Sequence, residues 1–287
     1  MTIDWDSKDI SNLVRAALAE DIGMGDATCA ATIPPETIIW ARILAKESLV
    51  CAGLPLAQRI FRELDPAAKI SLDCKEGSEV PKGANLLRIE GNARAILSAE
   101  RTALNFLGRL CGIATLTREF GKALAGTQAR IRDTRKTTPL LRTLEKYAVR
   151  MGGGVNHRVG LYDAILLKEN HIAITGGVAD AFRKATAYSP SLPVQVEVRN
   201  EAELLDALRA GAQSVLLDNM PVEEATRCVA LAKKTAPGCV VEISGGITLA
   251  NVRAYAETGA DYLSSGALTH SARASDLSLL VETSGRT

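Results

Sequence analysis

The sequence predicts an α/β protein in which an N-terminal α+β domain precedes a short or open (β/α) barrel. Two observations lead to this fold class. From residue 130 onwards, short strand-like runs alternate with helical patterns, and polar or charged residues follow almost every strand-like run. The chain has 287 residues, enough for two ordinary domains, and we predict them over 1–120 and 121–271.

The N-terminal domain mixes strands and turns before a long helix. Strands are predicted over 38–46 and 86–91, and a hairpin with its turn over 76–89. From 93 to 125 apolar residues recur at helical spacing. Within this stretch, Gly108 and Gly112 either allow close packing or separate two helices.

Six strand-like runs follow, at 130–134, 164–168, 193–198, 214–217, 240–243 and 262–264. Helical patterns accompany the later runs, at 178–188, 201–210, 222–236 and 248–258. Gly211, Gly238 and Gly259 are expected to end three of these helices in the left-handed conformation. Strands that alternate with helices predict parallel pairing through right-handed crossovers.

The polar strand ends favour a barrel over a doubly wound sheet. In a (β/α) barrel the carboxyl ends of all strands meet on one face and carry the active site. A doubly wound sheet would place its ligand groups at the switch point, and no G-x-G-x-x-G follows the first strand of the barrel region. Six strands rather than eight indicate a short or open barrel.

The charge balance excludes a general nucleic-acid binder. With 34 Lys and Arg against 33 Asp and Glu, the net charge is +1, so no excess of cations is present to neutralise nucleic-acid phosphates. No apolar run reaches the roughly 18 residues of a membrane span, and the N-terminus does not resemble a signal peptide. We therefore expect a cytoplasmic protein with no nucleic-acid partner and no membrane partner.

The six cysteines and three histidines form no recognisable metal motif. The sequence contains neither C-x-x-C nor H-E-x-x-H, so a zinc site built by the protein is not expected. In a cytosolic chain of this size, the cysteines are expected to be small, buried, apolar residues.

Two glycine motifs follow the last two strands. They are Ser244-Gly245-Gly246 and Ser265-Gly266, and Thr248 could cap a helix after the first. Glycines let backbone N–H groups approach a phosphate, a helix N-terminus adds positive charge, and barrels often bind phosphate in their last two loops. These motifs indicate a phosphorylated ligand, with ordinary tight turns as the alternative.

Cations concentrate at or near the barrel loops. They are Arg135, Lys136, His157, Arg158 and Lys168, while Arg101 lies on the preceding helical stretch. Arg offers a planar fork suited to carboxylate or phosphate, and Lys offers a compact charge. Their density near Gly152-Gly153-Gly154 indicates a ligand with several negative groups, although any single Lys or Arg is commonly a solvated surface residue.

Two carboxylates, Glu197 and Asp218, are expected at successive strand ends. Such groups can hold sugar hydroxyls, bind a Mg²⁺ ion that bridges a pyrophosphate, or stabilise a developing cation. A salt bridge to a neighbouring Lys or Arg is the alternative. His270 is either a capping residue or a phosphate contact.

Four central segments resemble the quinolinate phosphoribosyltransferase family: 133–139 (DTRKTTP), 145–149 (EKYAV), 152–158 (GGGVNHR) and 168–172 (KENHI). The resemblance continues through Glu197, Asp218, both glycine motifs and His270, and it extends over essentially the whole chain. It implies an N-terminal α/β sandwich domain that also includes the tail 272–287. It further implies an open, irregular barrel of about six or seven strands.

The resemblance also implies a role for each matching residue. The carboxylates of quinolinate and nearby phosphate oxygens would be bound by Arg101, Thr134, Arg135, Lys136, His157, Arg158 and Lys168. The 5-phosphate region of phosphoribosyl pyrophosphate would be held by Ser244, Gly245, Gly246, Ser265, Gly266 and His270. Glu197 and Asp218 would face its ribose and the Mg²⁺ cofactor, bound directly or indirectly. The catalytic candidates are Lys136, Lys168, Glu197 and Asp218.

The family implies phosphoribosyl transfer to quinolinate with decarboxylation, in NAD biosynthesis. It also implies a homodimer in which Arg101 reaches the partner's site. One departure is Leu140, where many family members have glycine. The alternatives are a related pyrophosphorylase with another acceptor, of the type that accompanies molybdenum transport, and a non-catalytic sensor of a phosphorylated ligand.

Overall fold

The computed structural model describes residues 3–282, which fall into two compact units. The first unit comprises Thr143–Gly153 and the described parts of 1–116 and 272–287. The second unit comprises Thr117–Arg142 and Gly154–Ser271. None of the described helices combines the length and the apolar character needed to cross a bilayer.

The described helices are α1 (Lys8–Ile22), α2 (Ala27–Thr32), α3 (Leu54–Leu64), α4 (Ala93–Ala123), α5 (Arg142–Met151), α6 (Glu169–Thr175), α7 (Val178–Tyr188), α8 (Glu201–Arg209), α9 (Val222–Thr235), α10 (Val252–Ala256) and α11 (Ala267–His270). The described strands are β1 (Ile38–Ala45), β2 (Leu49–Val50), β3 (Lys69–Leu72), β4 (Glu79–Val80), β5 (Asn85–Asn92), β6 (Arg130–Arg132), β7 (Ile165–Leu167), β8 (Val194–Val198), β9 (Ser214–Asp218), β10 (Val240–Ser244), β11 (Tyr262–Ser264) and β12 (Leu277–Val281).

The first unit is built on an antiparallel sheet with the strand order β12-β1-β5-β3. Along β1 the residues Ala41, Ile43 and Ala45 are buried and alternate with more exposed ones, which is the pattern of a strand with one face on a core. The tail contributes β12, which pairs antiparallel with β1. The predicted hairpin over 76–89 is wrong, because β4 pairs with β2 rather than with β5.

Helix α4 runs without a break through Gly108 and Gly112, so of the two alternatives close packing is the one observed. A Cβ atom on Gly112 would overlap the carbonyl oxygen of Arg273, and one on Gly108 would lie 2.9 Å from the carbonyl oxygen of Ser275. Both glycines therefore let the segment before β12 lie directly against the helix.

The second unit contains a six-stranded parallel sheet with the order β6-β11-β10-β9-β8-β7. In a closed barrel each strand would pair with the next one along the chain, and the last strand would pair with the first. Here β6 pairs with the last strand, β11, but β6 and β7 do not pair. The sheet is therefore an open barrel rather than a closed one, and all six predicted strands are present. The predicted α/β fold class is confirmed.

The predicted helices of the barrel are found, with corrections at their ends. Helix α7 covers the predicted residues, and Gly211 follows α8 with a φ of 96°, as expected for a left-handed cap. Gly238 plays no such part, because α9 ends at Thr235 with Ala236 as its C-cap. Helix α10 begins only at Val252, so Thr248 does not cap it.

All six cysteines are free thiols, and five of them are buried as expected. The exception is Cys74, which is half-buried with its sulfur 3.3 Å from that of Cys51.

Candidate active site

A cavity of about 610 Å³ opens at the carboxyl ends of the parallel strands in the second unit. Every predicted site residue of the barrel lines it: Thr134, Arg135, Lys136, His157, Arg158, Lys168, Glu197, Asp218, Ser244, Gly245, Gly246, Ser265, Gly266 and His270. The remaining predicted residue, Arg101, is exposed on α4 in the first unit. The fold thus gathers residues from six separate strand ends around one space.

Three cations of this cavity have no carboxylate partner among the described residues. They are Arg135, Lys136 and Arg158. The Nε atom of Arg135 is buried and makes no hydrogen bond within the described chain, while Arg158 donates from Nη1 to the carbonyl of Ala164 at 3.0 Å. Burial, and then repulsion from Arg135, lower the pKa of Arg158 below its ordinary value. The charge of Asp163 opposes this lowering only weakly. Neighbouring guanidinium groups without an ion-pair partner among the described residues make this part of the cavity suited to an anion.

The loop that carries His157 and Arg158 is fixed by the carboxylate of Asp133. This side chain is completely buried just after β6, and its oxygens accept from the backbone N–H of His157 at 2.7 Å and from Nδ2 of Asn156 at 2.7 Å. Asp163 holds the next part of the loop by accepting from the N–H groups of Val159 and Gly160. Because both carboxylates bind backbone groups, the loop conformation is determined before any ligand arrives.

The carboxylate of Glu197 forms an ion pair with Lys168, whose Nζ lies 2.6 Å from Oε2. Lys168 directly follows β7, and Glu197 lies on the neighbouring strand β8. The residues just before them, Leu167 and Val196, are register partners. The salt-bridge alternative is therefore the arrangement found for Glu197. One strand further on, the Asp218 carboxylate accepts from Nδ2 of Asn219 at 2.8 Å.

Both glycine motifs lie at the cavity, and two of their glycines are required by close approaches. Gly245 has a φ of 96°, and a Cβ there would collide with the side chain of Asn219. A Cβ on Gly266 would lie 2.9 Å from Cδ of Lys136 and 3.0 Å from the ring of His270. Within the described chain, no hydrogen bond uses the N–H of Gly245 or Gly246, so both groups are available to an anion.

The helices that follow the two glycine motifs are short, although α11 begins directly after Gly266 as predicted. Helix α10 has only five residues and starts six residues after Gly246, and α11 has four. Neither helix is long enough to place a substantial partial charge at the loop. Any phosphate recognition here rests on the backbone N–H groups and on side chains.

Leu140 occupies a turn position that favours glycine. Its φ is 67°, it follows Pro139, and the N–H of Leu141 donates to the carbonyl of Thr138 at 3.1 Å. This arrangement is a β-turn with proline at its second position and a left-handed residue at its third. The side chain of Leu140 is 90% exposed, so no packing compensates for the backbone strain.

The two carboxylates Glu197 and Asp218 are the metal-binding candidates. No three His, Cys, Asp or Glu side chains of the described chain form a metal-binding group. A Mg²⁺ ion is usually held by one or two carboxylates together with waters and substrate phosphates. Two carboxylates beside the two glycine loops fit such an ion, whereas a cage made only of protein ligands does not fit.

Sequence reasoning missed a third carboxylate at the cavity, that of Glu242. It lies on β10 two residues before Ser244 and is completely buried. A signal was available, because residues two apart on a strand share a face, and Ser244 was already expected at the site. Asp133 was within a recognised motif, but its positioning role depends on a contact with the later segment 156–157 that the sequence does not reveal.

The chain matches the models of two consecutive domains of one protein family. Residues 26–111 match the family described as quinolinate phosphoribosyl transferase, N-terminal domain, and residues 113–280 match its C-terminal domain. The chain is 44% identical to a nicotinate-nucleotide pyrophosphorylase (carboxylating) of Mycobacterium leprae over 270 residues, which cover 93% of this chain and 95% of the relative. It is 42% identical to a probable enzyme of the same name from Bacillus subtilis, with coverages of 94% and 92%.

Solved structures agree with these matches. A nicotinate-nucleotide pyrophosphorylase of Francisella tularensis superposes with a TM-score of 0.91 at 38% identity, covering 98% of each chain. NadC from Streptococcus pyogenes superposes with a TM-score of 0.92 at 39% identity, covering 97% of this chain and 98% of that one. On the strength of both domain matches and these relatives, the chain belongs to the quinolinate phosphoribosyltransferase family.

Proposed function

We propose that this protein transfers the phosphoribosyl group of phosphoribosyl pyrophosphate to quinolinate and releases CO₂, giving nicotinate mononucleotide and pyrophosphate for NAD biosynthesis. The observation that carries the proposal is the group of three unpaired cations, Arg135, Lys136 and Arg158, beside glycine loops and two carboxylates in one cavity. Family membership supports the same reaction.

Quinolinate would occupy the cationic part of the cavity. Its two carboxylates match the guanidinium forks of Arg135 and Arg158, which have no carboxylate partner, and the adjoining His157 ring. Lys168 would contact the acceptor while keeping its ion pair with Glu197. Nicotinate has one carboxylate fewer and would leave a partly buried cation unpaired, which disfavours it.

Phosphoribosyl pyrophosphate would lie across the ends of β8 to β11. The free N–H groups of Gly245 and Gly246, with Ser244, Ser265 and His270, would bind the 5-phosphate region. Glu197 and Asp218 would face the ribose ring. In this arrangement the anomeric carbon would face the cationic part of the cavity, where the pyridine nitrogen of quinolinate would be bound.

In the proposed reaction, the lone pair of the pyridine nitrogen forms a bond to C1 of the ribose while the bond from C1 to the pyrophosphate oxygen breaks. Positive charge develops on the ribose, and the carboxylates of Glu197 and Asp218 stabilise it. The quaternary nitrogen then accepts the electron pair of the adjacent carbon–carboxylate bond, CO₂ departs, and the ring carbon takes up a proton.

Mg²⁺ is part of this proposal. When bound, the ion would neutralise charge on the pyrophosphate, with Glu197 and Asp218 holding it directly or through water. A homodimer is also part of it, with the exposed Arg101 of one protomer contributing to the site of its partner. The cytoplasm stays the predicted location.

The proposal is tested by mixing the protein with quinolinate, phosphoribosyl pyrophosphate and Mg²⁺ and measuring pyrophosphate and CO₂. We expect both products in equal amounts. Phosphoribosyl pyrophosphate binding without quinolinate turnover would indicate a related pyrophosphorylase with another acceptor. Ligand binding without pyrophosphate release from any acceptor would indicate a sensor, and either result would overturn the proposal.

A further inference from the structure

The buried carboxylate of Glu242 has no role in the proposed chemistry, yet Glu242 lines the cavity. Its side chain is completely buried and shares the inner face of β10 with Ser244. A buried carboxylate is costly unless hydrogen bonds and a counter-charge satisfy it, so its partners reveal what it holds in place.

Both oxygens of Glu242 are engaged by side chains from three other strands. Oε2 accepts from Nη1 of Arg132 on β6 at 2.8 Å and from Nε2 of Gln195 on β8 at 2.9 Å. Oε1 accepts from the hydroxyl of Ser264 on β11. Arg132 in turn stacks on the ring of Tyr262, with 3.7 Å from its Cζ atom to the ring centroid. Arg132 balances the charge of Glu242. The carboxylate therefore does not pair with Arg135, Lys136 or Arg158, which stay available to substrate.

The same Oε1 atom faces the imidazole of His157. The distance from Oε1 to Nε2 is 3.8 Å, and the side chain of His157 is 12% exposed. On the other side of the ring, Nδ1 accepts from the backbone N–H of Arg158 at 2.8 Å. Since Nδ1 is an acceptor, a neutral ring carries its proton on Nε2, the nitrogen that faces Glu242.

We propose that Glu242 is a positioning residue whose negative charge, facing Nε2 of His157, fixes the orientation of the ring and of the adjoining Arg158 at the quinolinate end of the cavity, while the N–H of Arg158 keeps Nδ1 as the acceptor. The inference rests on the proposed function for its consequence in catalysis, but the link from Glu242 to His157 is a property of the free protein. Loss of the carboxylate would remove the charge that orients the imidazole, and small misplacements of binding groups reduce rates about tenfold to a hundredfold.

The kinetic test compares Glu242→Gln with Glu223→Gln, the same change at an exposed residue of α9. For Glu242→Gln we expect the KM for quinolinate to rise about tenfold or more, with a smaller change in the KM for phosphoribosyl pyrophosphate. Glu223→Gln should match the unaltered protein. Equal rises in both KM values, or none, would overturn the proposal.

A double variant separates positioning from simple charge balance. If Glu242 served only to neutralise Arg132, then Arg132→Met combined with Glu242→Gln would restore the KM for quinolinate. The proposal predicts that the double variant stays impaired, and full recovery would contradict it.

A spectroscopic readout does not depend on turnover. In protein labelled with ¹⁵N-histidine there are three histidines, and His171→Gln and His270→Gln variants identify the signal of His157 by elimination. We expect the Nε2 signal of His157 to shift in folded Glu242→Gln, because the negative charge that faces Nε2 is lost, while Nδ1 stays an acceptor. An unchanged His157 signal would overturn the proposal, even if the enzyme proved to use another acceptor. Failure of the proposed function alone would appear as absent turnover with the shift of the Nε2 signal intact.

Discussion

In the first unit, cations such as Arg88 and Arg109 lie against carboxylates, whereas Arg135, Lys136 and Arg158 in the cavity of the second unit have no carboxylate partner within the described chain. Arg88 lies 2.8 Å from Asp73, and Arg109 lies 2.8 Å from the buried Glu145. Paired charges of this kind belong to the folded structure, although exposed pairs contribute little to the free energy of unfolding. Unpaired cations in a cavity instead raise the free energy of the empty protein, which an anionic ligand lowers.

Removal of one unpaired cation is expected to have the largest effect. Arg135→Ala should lower kcat/KM for quinolinate by about a hundredfold or more, since a charge-assisted hydrogen bond contributes about 1.5–3 kcal/mol and orientation is lost as well. The free energy of unfolding should not fall, because no ion pair is broken. Steady-state CO₂ release and urea denaturation measure the two quantities.

The matched control is Arg183→Ala, which removes the same charge from an exposed position on α7 where Arg183 pairs with Asp180. Activity should be retained in this variant. Near-normal CO₂ release by Arg135→Ala, or equal losses in both variants, would contradict the assignment of Arg135.

A packing change in the first unit should act on stability alone. Gly112→Ala places a methyl group on the carbonyl oxygen of Arg273, and such overpacking costs about 1–3 kcal/mol. Gly121→Ala on the same helix meets no atom within 4 Å and should raise the free energy of unfolding by about 0.5 kcal/mol. Urea denaturation of both variants checks this contrast, and equal stabilities would refute the close-packing argument.

Backbone strain in the second unit gives a smaller effect. Leu140→Gly removes the penalty of a left-handed leucine, about 1–2 kcal/mol, but adds flexibility to the unfolded chain. We expect a net gain of about 0.5 kcal/mol in the free energy of unfolding. Leu140→Ala keeps the left-handed penalty and should show no gain, so an alanine variant as stable as the glycine variant would show that the strain is absent.

An effect of similar size concerns the ion pair between Arg273 and Glu47, which follows β1. Hydrogen bonds from Arg273, and less strongly from the N–H of Asp276, hold the pKa of Glu47 below its ordinary value of 4.5. A depressed carboxyl pKa contributes stability above pH 4.5 that is lost as the pH falls through the folded-state pKa. Glu47→Gln should therefore cost about 0.5–1 kcal/mol at pH 7 and nothing at pH 2. A cost independent of pH would refute this account.

The sequence predicted the second unit better than the first. The six barrel strands and α7 follow from local patterns, since apolar runs and helical spacing depend on neighbouring residues. The pairing of β4 with β2 depends on segments about thirty residues apart and could not be read locally. The gap between β6 and β7 is likewise a property of the whole sheet.

The same distinction holds within the site. Residues at strand ends, such as Asp218 and Ser244, were predicted because parallel strands bring their carboxyl ends together. The pairing of Lys168 with Glu197 was foreseen only as an alternative, because the choice between ligand and salt bridge depends on strand register. The buried network of Glu242 was missed because it joins four strands through side chains alone.

The central claim is that the unpaired cations of the cavity recognise a dicarboxylate. Isothermal titration of the unaltered protein with quinolinate and with nicotinate, at the same pH and ionic strength, tests it most directly. The account predicts that quinolinate binds at least about tenfold more tightly, because its second carboxylate pairs with a cation that nicotinate leaves unpaired. Equal affinities for the two ligands, or tighter binding of nicotinate, would contradict it.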